Sequence, residues 1–589
     1  MKFTQRIKKN QNRVIALLFS VLMCTIISIF FDYYFDLNDD VLMKDILAGV
    51  YTGTPNGRNI QMLFPISWLI SLFYHIPGNI SWFGLFLCSC QFFSIYIVTE
   101  RLLSFFDKTW KKAVTVLVEG IFIITLFFYE LVFVQYTVTS TMLAAAAAFL
   151  FYTSKSDVRP GKFFSNNLIS IILVTLSFQI RSEMLLLVFP LICVVGLFKW
   201  ASEKPIFTKE NGFKYFSVFG VILMGMVLSE AVDMTAYSST PWQQFNSFFD
   251  NRTEIYDFYA PPQYDENVEF YESIGLTRSE QMLLHNYNFG LDEEINDQVM
   301  AKISAYTAEL NNYANKFKNE MKTAIRDYKY LVFYESENPY NILIILLYVI
   351  VLLTALLNRN FRMLWELPVL GFMRTGLWLF ILYRKRYPAR ITHSLYLMEI
   401  VILVALFFME VVTQNNKNRI LKTVFTIFLS IFSILCISNS VYKVHIEYER
   451  RENINQSLIA LQTYTRENND CFYFWDVYSS VYYSEKMFVN VNNSGSNYDI
   501  MGGWACKSPL MREKYKKYGI QSMEDALLNL DYVFYVVQSP EPEGWIPFSK
   551  DWLPAYYRDK GKEIELVNTD SISTTAGEVF TVYKLQLIK

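Results

Sequence analysis

Apolar runs of about twenty residues recur between Val14 and Ser438, and each is long enough to cross the roughly 30 Å hydrocarbon core of a bilayer at about 1.5 Å per residue. Hydrophobic residues make up 53% of the 589-residue chain. They gather in blocks rather than at the periods of an amphipathic soluble fold, and no soluble core accounts for so many blocks. The chain reads as a multi-pass α-helical membrane protein with about eleven transmembrane helices, an interfacial helix and extracytoplasmic soluble domains, the C-terminal one α/β.

Charge sets the expected threading. Lys2, Arg6, Lys8, Lys9 and Arg13 precede the run from Val14 to Phe31, and no small-residue cleavage pattern follows, so the run reads as an uncleaved signal anchor with a cytosolic amino terminus. The segment Ile60 to His75 is broken by Pro65 and closed by Pro77-Gly78. Counting it as a span would place Arg101, Lys108, Lys111 and Lys112 outside. Laying it along the outer interface places them in the cytosol, as the positive-inside rule favours.

The remaining spans then fall near 79–98, 113–133, 137–153, 164–178, 183–200, 213–232, 339–357, 362–383, 391–412 and 417–438. The cytosolic loops carry Lys155, Arg159 and Lys162; Lys199, Lys204, Lys209 and Lys214; Arg359 and Arg362; Lys417, Arg419 and Lys422. The expected parts are a transmembrane domain over 1–438, an outer acidic helical insertion within it at 233–338, and an outer α/β domain at 439–589. The insertion holds Asp265, Glu266, Glu269, Glu272, Asp292, Glu293, Glu294 and Asp297, with a PPQYDE turn at Pro261. The tail suggests a polar helix from Arg450 to Arg466, strands at Cys471–Trp475, Tyr532–Val537 and Val579–Leu585, and a helix near Leu527.

One loop breaks the charge rule. RKRYPAR puts Arg384, Lys385, Arg386 and Arg390 on the outer side, so something other than topology must hold them there.

Several polar groups converge on that outer side. After the first helix come Asp32, Asp36, Asp39, Asp40 and Asp45 within fourteen residues. Adjacent carboxylates can share a proton, act as a general base or bind a divalent cation such as Mg or Mn; the bland reading is a solvated acidic loop. Gly53, Pro55 and Gly57 make the next stretch a turn where backbone can approach a ligand. Arg374 lies about nine residues, roughly 13 Å, inside its helix end. It needs either an ion-pair partner or an anionic ligand.

Arg384, Arg386 and Arg390 can fork onto phosphate oxygens or snorkel to lipid headgroups, and His393 follows one turn on. Arg181 and Glu183 interrupt two spans in QIRSEM. Two positions apart, they do not face each other on a helix and are not expected to form a self-contained bridge. They line the cavity or simply make a turn. Glu130, at the same level, is either a snorkelling carboxylate or part of the site.

The absences narrow the chemistry. The sequence has no GxxxxGK[ST], no GxGxxG opening a helix, no HExxH and no paired CxxC. The net charge of −2 conceals an uneven distribution and gives no basis for a nucleic-acid partner. Of seven cysteines, only Cys471 and Cys506 lie in polar sequence, as a disulfide or as two free thiols.

A signal-anchor helix, an outer loop opening with LNDD, an interfacial helix, a second span and an outer soluble tail together resemble the GT-C superfamily of integral membrane glycosyltransferases. Its members include protein O-mannosyltransferases, oligosaccharyltransferases and the aminoarabinose transferases of lipid A. The resemblance covers about residues 14–438. It implies inverting transfer from a polyprenyl-phosphate or pyrophosphate sugar to an outer glycan or lipid acceptor, within the plasma membrane and among its lipids. It also implies that Asp39 or Asp40 deprotonates or positions the acceptor hydroxyl, that Glu130 stands in for a second-loop acid, and that Arg374, Arg384, Arg386 and Arg390 neutralise the leaving phosphate. The tail has no WWDYG-like stretch, which argues against an oligosaccharyltransferase, and the insertion has no counterpart in the resemblance. A polysaccharide polymerase or ligase of the O-antigen type, a lipid-linked glycan flippase and a surface receptor are the alternatives.

Overall fold

A computed structural model describes all residues except 1, 313, 315, 335–336, 414–418, 489–494, 542–548 and 589. Lys417 of the last basic loop falls outside the described residues, as do the side chains of 2–9, 332 and 412–419.

Among the described residues, eleven helices are long and apolar enough to cross a membrane. The chain is a multi-pass helical membrane protein, and ten of the helices end within about six residues of the expected boundaries, as frayed ends allow. At the centre lies Tyr136–Thr153, buried along nearly its whole length. Its Ala144 to Ala148 run presents only methyl groups, so neighbouring backbones can close in. Trp82–Leu103, Pro160–Ile180, Ser182–Ala201 and Ala389–Thr413 surround it.

The Pro65 segment forms Phe64–Phe73, a helix of 10 residues, about 15 Å long and too short to span. Asp233 Oδ1 accepts the Phe64 N–H at 2.6 Å, placing a carboxylate at the positive helix end. The glycine turn before it is close-packed against protein. A Cβ on Gly57 would meet Trp68 Cα at 2.6 Å, so the close backbone approach expected of a ligand is made by the chain itself.

The last span departs most from expectation. Arg419–Glu467 is one helix of 49 residues. The polar helix expected from Arg450 to Arg466 is its continuation, and the expected domain boundary at 438 falls inside it.

Beyond that helix a five-stranded sheet runs Tyr498–Ile500, Phe472–Trp475, Val533–Gln538, Val579–Leu587, Ile564–Ser573, with the first three parallel and the last two antiparallel. Phe472 to Trp475 are all buried, as befits a strand covered on both faces. Phe248, Ile255 and Tyr271 of the insertion share one apolar core with Phe472, Tyr515 and Tyr557 of the tail. Arg512 pairs with Glu293 across this contact. The insertion and the tail therefore share a core, and Arg512 of the tail neutralises Glu293 of the acidic run. Cys471 and Cys506 are both free thiols.

Candidate active site

The site forms where the first loop meets the amino end of the central helix. Tyr34–Phe35 pairs in parallel with Phe133–Val134, directly before that helix. The Asp-rich sequence then starts the helix Asn38–Ala48, since carboxylates in a first turn favour the unsatisfied N–H groups there. Asp40 is fully buried. Its Oδ2 accepts the Leu37 N–H at 3.2 Å and its Oδ1 accepts the Tyr136 N–H at 3.4 Å, so one side chain caps two helix starts. Burial first, then the Asp36 and Asp39 charges, push its carboxyl well above the usual range.

Each Asp40 oxygen accepts one backbone N–H, which leaves one further lone pair on each.

Asp39 is half-buried and lies within electrostatic reach of several cations. Its charge acts on Arg181, Arg252, Arg386 and Tyr136. Arg181 donates from Nη1 to Gln61 Oε1 at 2.8 Å, and its guanidinium stands 5.3 Å from the Tyr136 ring centroid. Burial works against its charge, but Tyr136, Glu183, Asp39 and Asp40 together hold it above its ordinary value.

Arg181 and Glu183 do bridge, Nε to Oε2 at 3.2 Å, contrary to the helical-spacing argument. Arg181 is not helical: at φ −154° and ψ 93° it lies between two helices, and the extended backbone turns its side chain toward Glu183.

The insertion explains the RKRYPAR loop. Arg384 lies 3.6 Å from Glu254 and 3.8 Å from the Phe258 ring centroid. Lys385 pairs with Glu320 at 3.0 Å, and Arg386 pairs with Asp257. Carboxylates on the insertion thus neutralise three of the loop's cations. Arg386 is pushed below its ordinary value by burial and by Arg390 and Arg181. Arg390 has no ion pair with any described residue, and its charge acts on Asp36, Tyr136 and Arg386. Arg384, Lys385 and Arg386 are thus all paired with the insertion, and Asp39 acts electrostatically on Arg181, Arg252 and Arg386.

Arg374 takes the ion-pair alternative. Its Nε reaches Glu399 Oε2 at 2.8 Å, Nη1 donates to the Tyr328 hydroxyl at 2.7 Å, and Nη2 donates to Asn341. Glu130 does not snorkel. It is buried, with His393 Nδ1 2.5 Å from Oε1, and its Oε2 has no hydrogen-bond partner among the described residues. Its charge acts on Asp36, which places the pair beside the first loop.

Sequence reasoning missed Gln61 and Tyr136 as polar partners in this group, and Arg451, whose Nη2 lies 2.7 Å from Asp36 Oδ1. Tyr136 in YTVTST was readable as a helix start. Nothing local signalled Gln61 or Arg451, because their partners lie far along the chain.

One further acidic cluster can hold a cation: Glu280, Asp292 and Glu294 bring carboxylate oxygens within 4.8 Å of one another. In the structure that cation is an ammonium. Lys560 Nζ lies 2.6, 3.2 and 3.1 Å from the three.

No protein-family model and no curated protein matches this chain. Among solved structures the chain is similar to ArnT from Cupriavidus metallidurans bound to undecaprenyl phosphate, with 10% identity over 96% of this chain and 97% of that one, at a TM-score of 0.39.

Proposed function

We propose that the chain is a membrane glycosyltransferase of the GT-C kind. In this reading it transfers a sugar, with inversion, from a polyprenyl-phosphate or pyrophosphate donor to an acceptor hydroxyl on a cell-envelope glycan or glycolipid. What supports the reading is a half-buried carboxylate, Asp39, whose charge acts on Arg181, Arg252 and Arg386, with Arg390 acting in turn on Arg386 and Tyr136 at the amino end of the central helix. Glycosyl transfer needs both parts: a base for the nucleophile and charge neutralisation for the phosphate that departs.

Asp39 takes the acceptor hydroxyl proton as that oxygen attacks the anomeric carbon. The bond from that carbon to the phosphate oxygen breaks, and its electron pair leaves with the lipid phosphate. Arg390, free of any described ion pair, receives that charge in fork geometry, with Arg386 and Arg181 flanking it. Asp40 does not touch substrate in this reading. It is a positioning residue that fixes the helix bearing Asp39 against the central helix. Glu130 and His393 stand beside the same loop and orient the acceptor. No step requires a divalent cation, since the arginines supply the positive charge.

The orientation follows from the charge rule: a cytoplasmic amino terminus, with the site and the sheet-containing body on the outer side. The commitment of Arg374 to Glu399 leaves the transporter alternative without its cation on a substrate path.

The test is transfer by purified protein in lipid, supplied with polyprenyl-phosphate sugars and acceptor extracts. Wild type should consume donor, and Asp39→Asn and Arg390→Ala should not. Equal turnover in all three would remove the site assignment, and no consumption of any lipid-linked donor would remove the transferase reading.

A further inference from the structure

A cavity of about 320 Å³ lies against the polar extension of the long helix. Its volume is within the roughly 300–1,000 Å³ of small-molecule sites. Its walls come from the carboxyl end of Asn38–Ala48, the polar extension of the long helix, and the chain around 484–486 and 495–498. Ser484, on its wall, accepts a hydrogen bond from Arg451 at 3.2 Å.

The lining carries three cations, Lys44, Arg466 and Lys486, against three carboxylates, Asp45, Glu452 and Glu485. Most of these charges are already matched. Lys44 Nζ lies 2.8 Å from Asp45 and also contacts Glu485, and Lys486 Nζ contacts Glu452 and lies 2.7 Å from Asp32. Arg466 donates to Gln462 and Thr463. An anion entering here would meet no surplus of positive charge, and a cation no surplus of negative. The walls are nonetheless polar. Paired carboxylates keep spare lone pairs, and Gln462 presents an amide that donates to the Tyr498 hydroxyl at 3.2 Å.

The Tyr498 ring in the lining is braced flat against Trp475, 3.8 Å between centroids at 3°. A rigid aromatic with amides and charge-neutral pairs suits a ligand with many hydroxyls, some C–H surface and no net charge.

We propose that this cavity binds an uncharged oligosaccharide segment. The site stands independently of whether the Asp39 side carries out transfer.

The test is ligand-observed NMR on the full chain in lipid nanodiscs, with maltotriose and chitotriose as neutral probes and a uronic-acid trisaccharide as the charged control. A neutral trisaccharide should bind saturably and the charged one should not. Ile459 lines the cavity at its rim and is 51% exposed, so Ile459→Trp fills the space without disturbing packing and should weaken binding by about tenfold or more. Asp39→Asn should leave it unchanged. The proposal is overturned if neither neutral probe saturates, if the charged control binds as tightly, or if Ile459→Trp binds as wild type does.

Discussion

Arg451 Nη2 lies 2.7 Å from Asp36 Oδ1, joining the polar end of the longest helix to the loop that opens the site, 415 positions earlier in the chain. The guanidinium also meets Glu447 Oε1 at 2.7 Å and stands 4.2 Å from the Phe133 ring centroid. Burial raises the Asp36 carboxyl, and Arg451 opposes that rise. Arg451→Met removes the opposing charge. The variant should lose about 3–5 kcal/mol of stability near neutral pH, the cost of a stranded buried charge. A carboxyl whose folded pKa is raised loses stability as pH climbs through that value. The deficit should therefore be larger at pH 8 than at pH 5 in thermal unfolding, and Asp36→Asn in the same chain should recover part of it.

Asp39→Asn should lower turnover by about 10²–10⁴-fold, the usual contribution of a general base, while donor KM stays near wild type. Asp40→Asn should act differently. With both Asp40 oxygens accepting N–H groups, the amide can keep only one acceptor, so its main effect should be a lower unfolding temperature. Steady-state transfer and thermal unfolding on the same preparations separate the two.

Among the RKRYPAR cations the ranking should follow their partners. Arg390→Ala should reduce kcat/KM for the phosphate-bearing donor by about 10- to 150-fold, equivalent to a charge-assisted hydrogen bond of about 1.5–3 kcal/mol. Arg384→Ala should fall well short of that, since Arg384 is engaged by Glu254 and Phe258. Equal losses in the two would contradict the assignment.

Lys560→Met would leave Glu280, Asp292 and Glu294 facing one another without their ammonium. In the native chain Asp292 is held below its ordinary value: burial raises it, and bonds from Glu280, Glu294 and Lys560 outweigh that. A depressed carboxyl contributes stability above its unfolded pKa and loses it as pH falls through the folded one. The variant should be destabilised at pH 7 and much less so near pH 4. Millimolar Mg or Ca should partly restore its unfolding temperature by taking the vacated position.

Arg374 and Glu399 offer a structural contrast. Arg374→Leu alone strands a buried carboxylate and should lower the unfolding temperature sharply, while Arg374→Leu with Glu399→Leu should recover much of the loss. Below its unfolding temperature the double variant should retain transfer.

Much of the membrane architecture was legible because a bilayer imposes length and polarity on every crossing segment. Ile60 to His75 read correctly as too short because Pro65 and Pro77 bound it. Pairings over long separations were not legible. Arg181 meets Gln61 over 120 positions and Arg451 meets Asp36 over 415, and no local period encodes either. The strand Ile564–Ser573 escaped notice because its residues are largely polar and exposed. QIRSEM misled because the spacing argument assumed a helix at the one residue where the helix is interrupted. Asp39 and Asp40 looked equivalent in LNDD, and only burial separates the capping carboxylate from the one within electrostatic reach of the arginines.

The helix Arg419–Glu467 has 49 residues, giving about 74 Å of continuous rod of which a bilayer covers about 30 Å. A rod cannot absorb a change in membrane thickness by bending at a joint, so it responds by tilting, at fractions of a kcal/mol per Å of mismatch. Tilting swings Glu447 and Arg451 sideways relative to Asp36. Transfer measured in bilayers of different acyl-chain length should therefore vary with thickness, because the rod couples its own tilt to the Arg451–Asp36 pair.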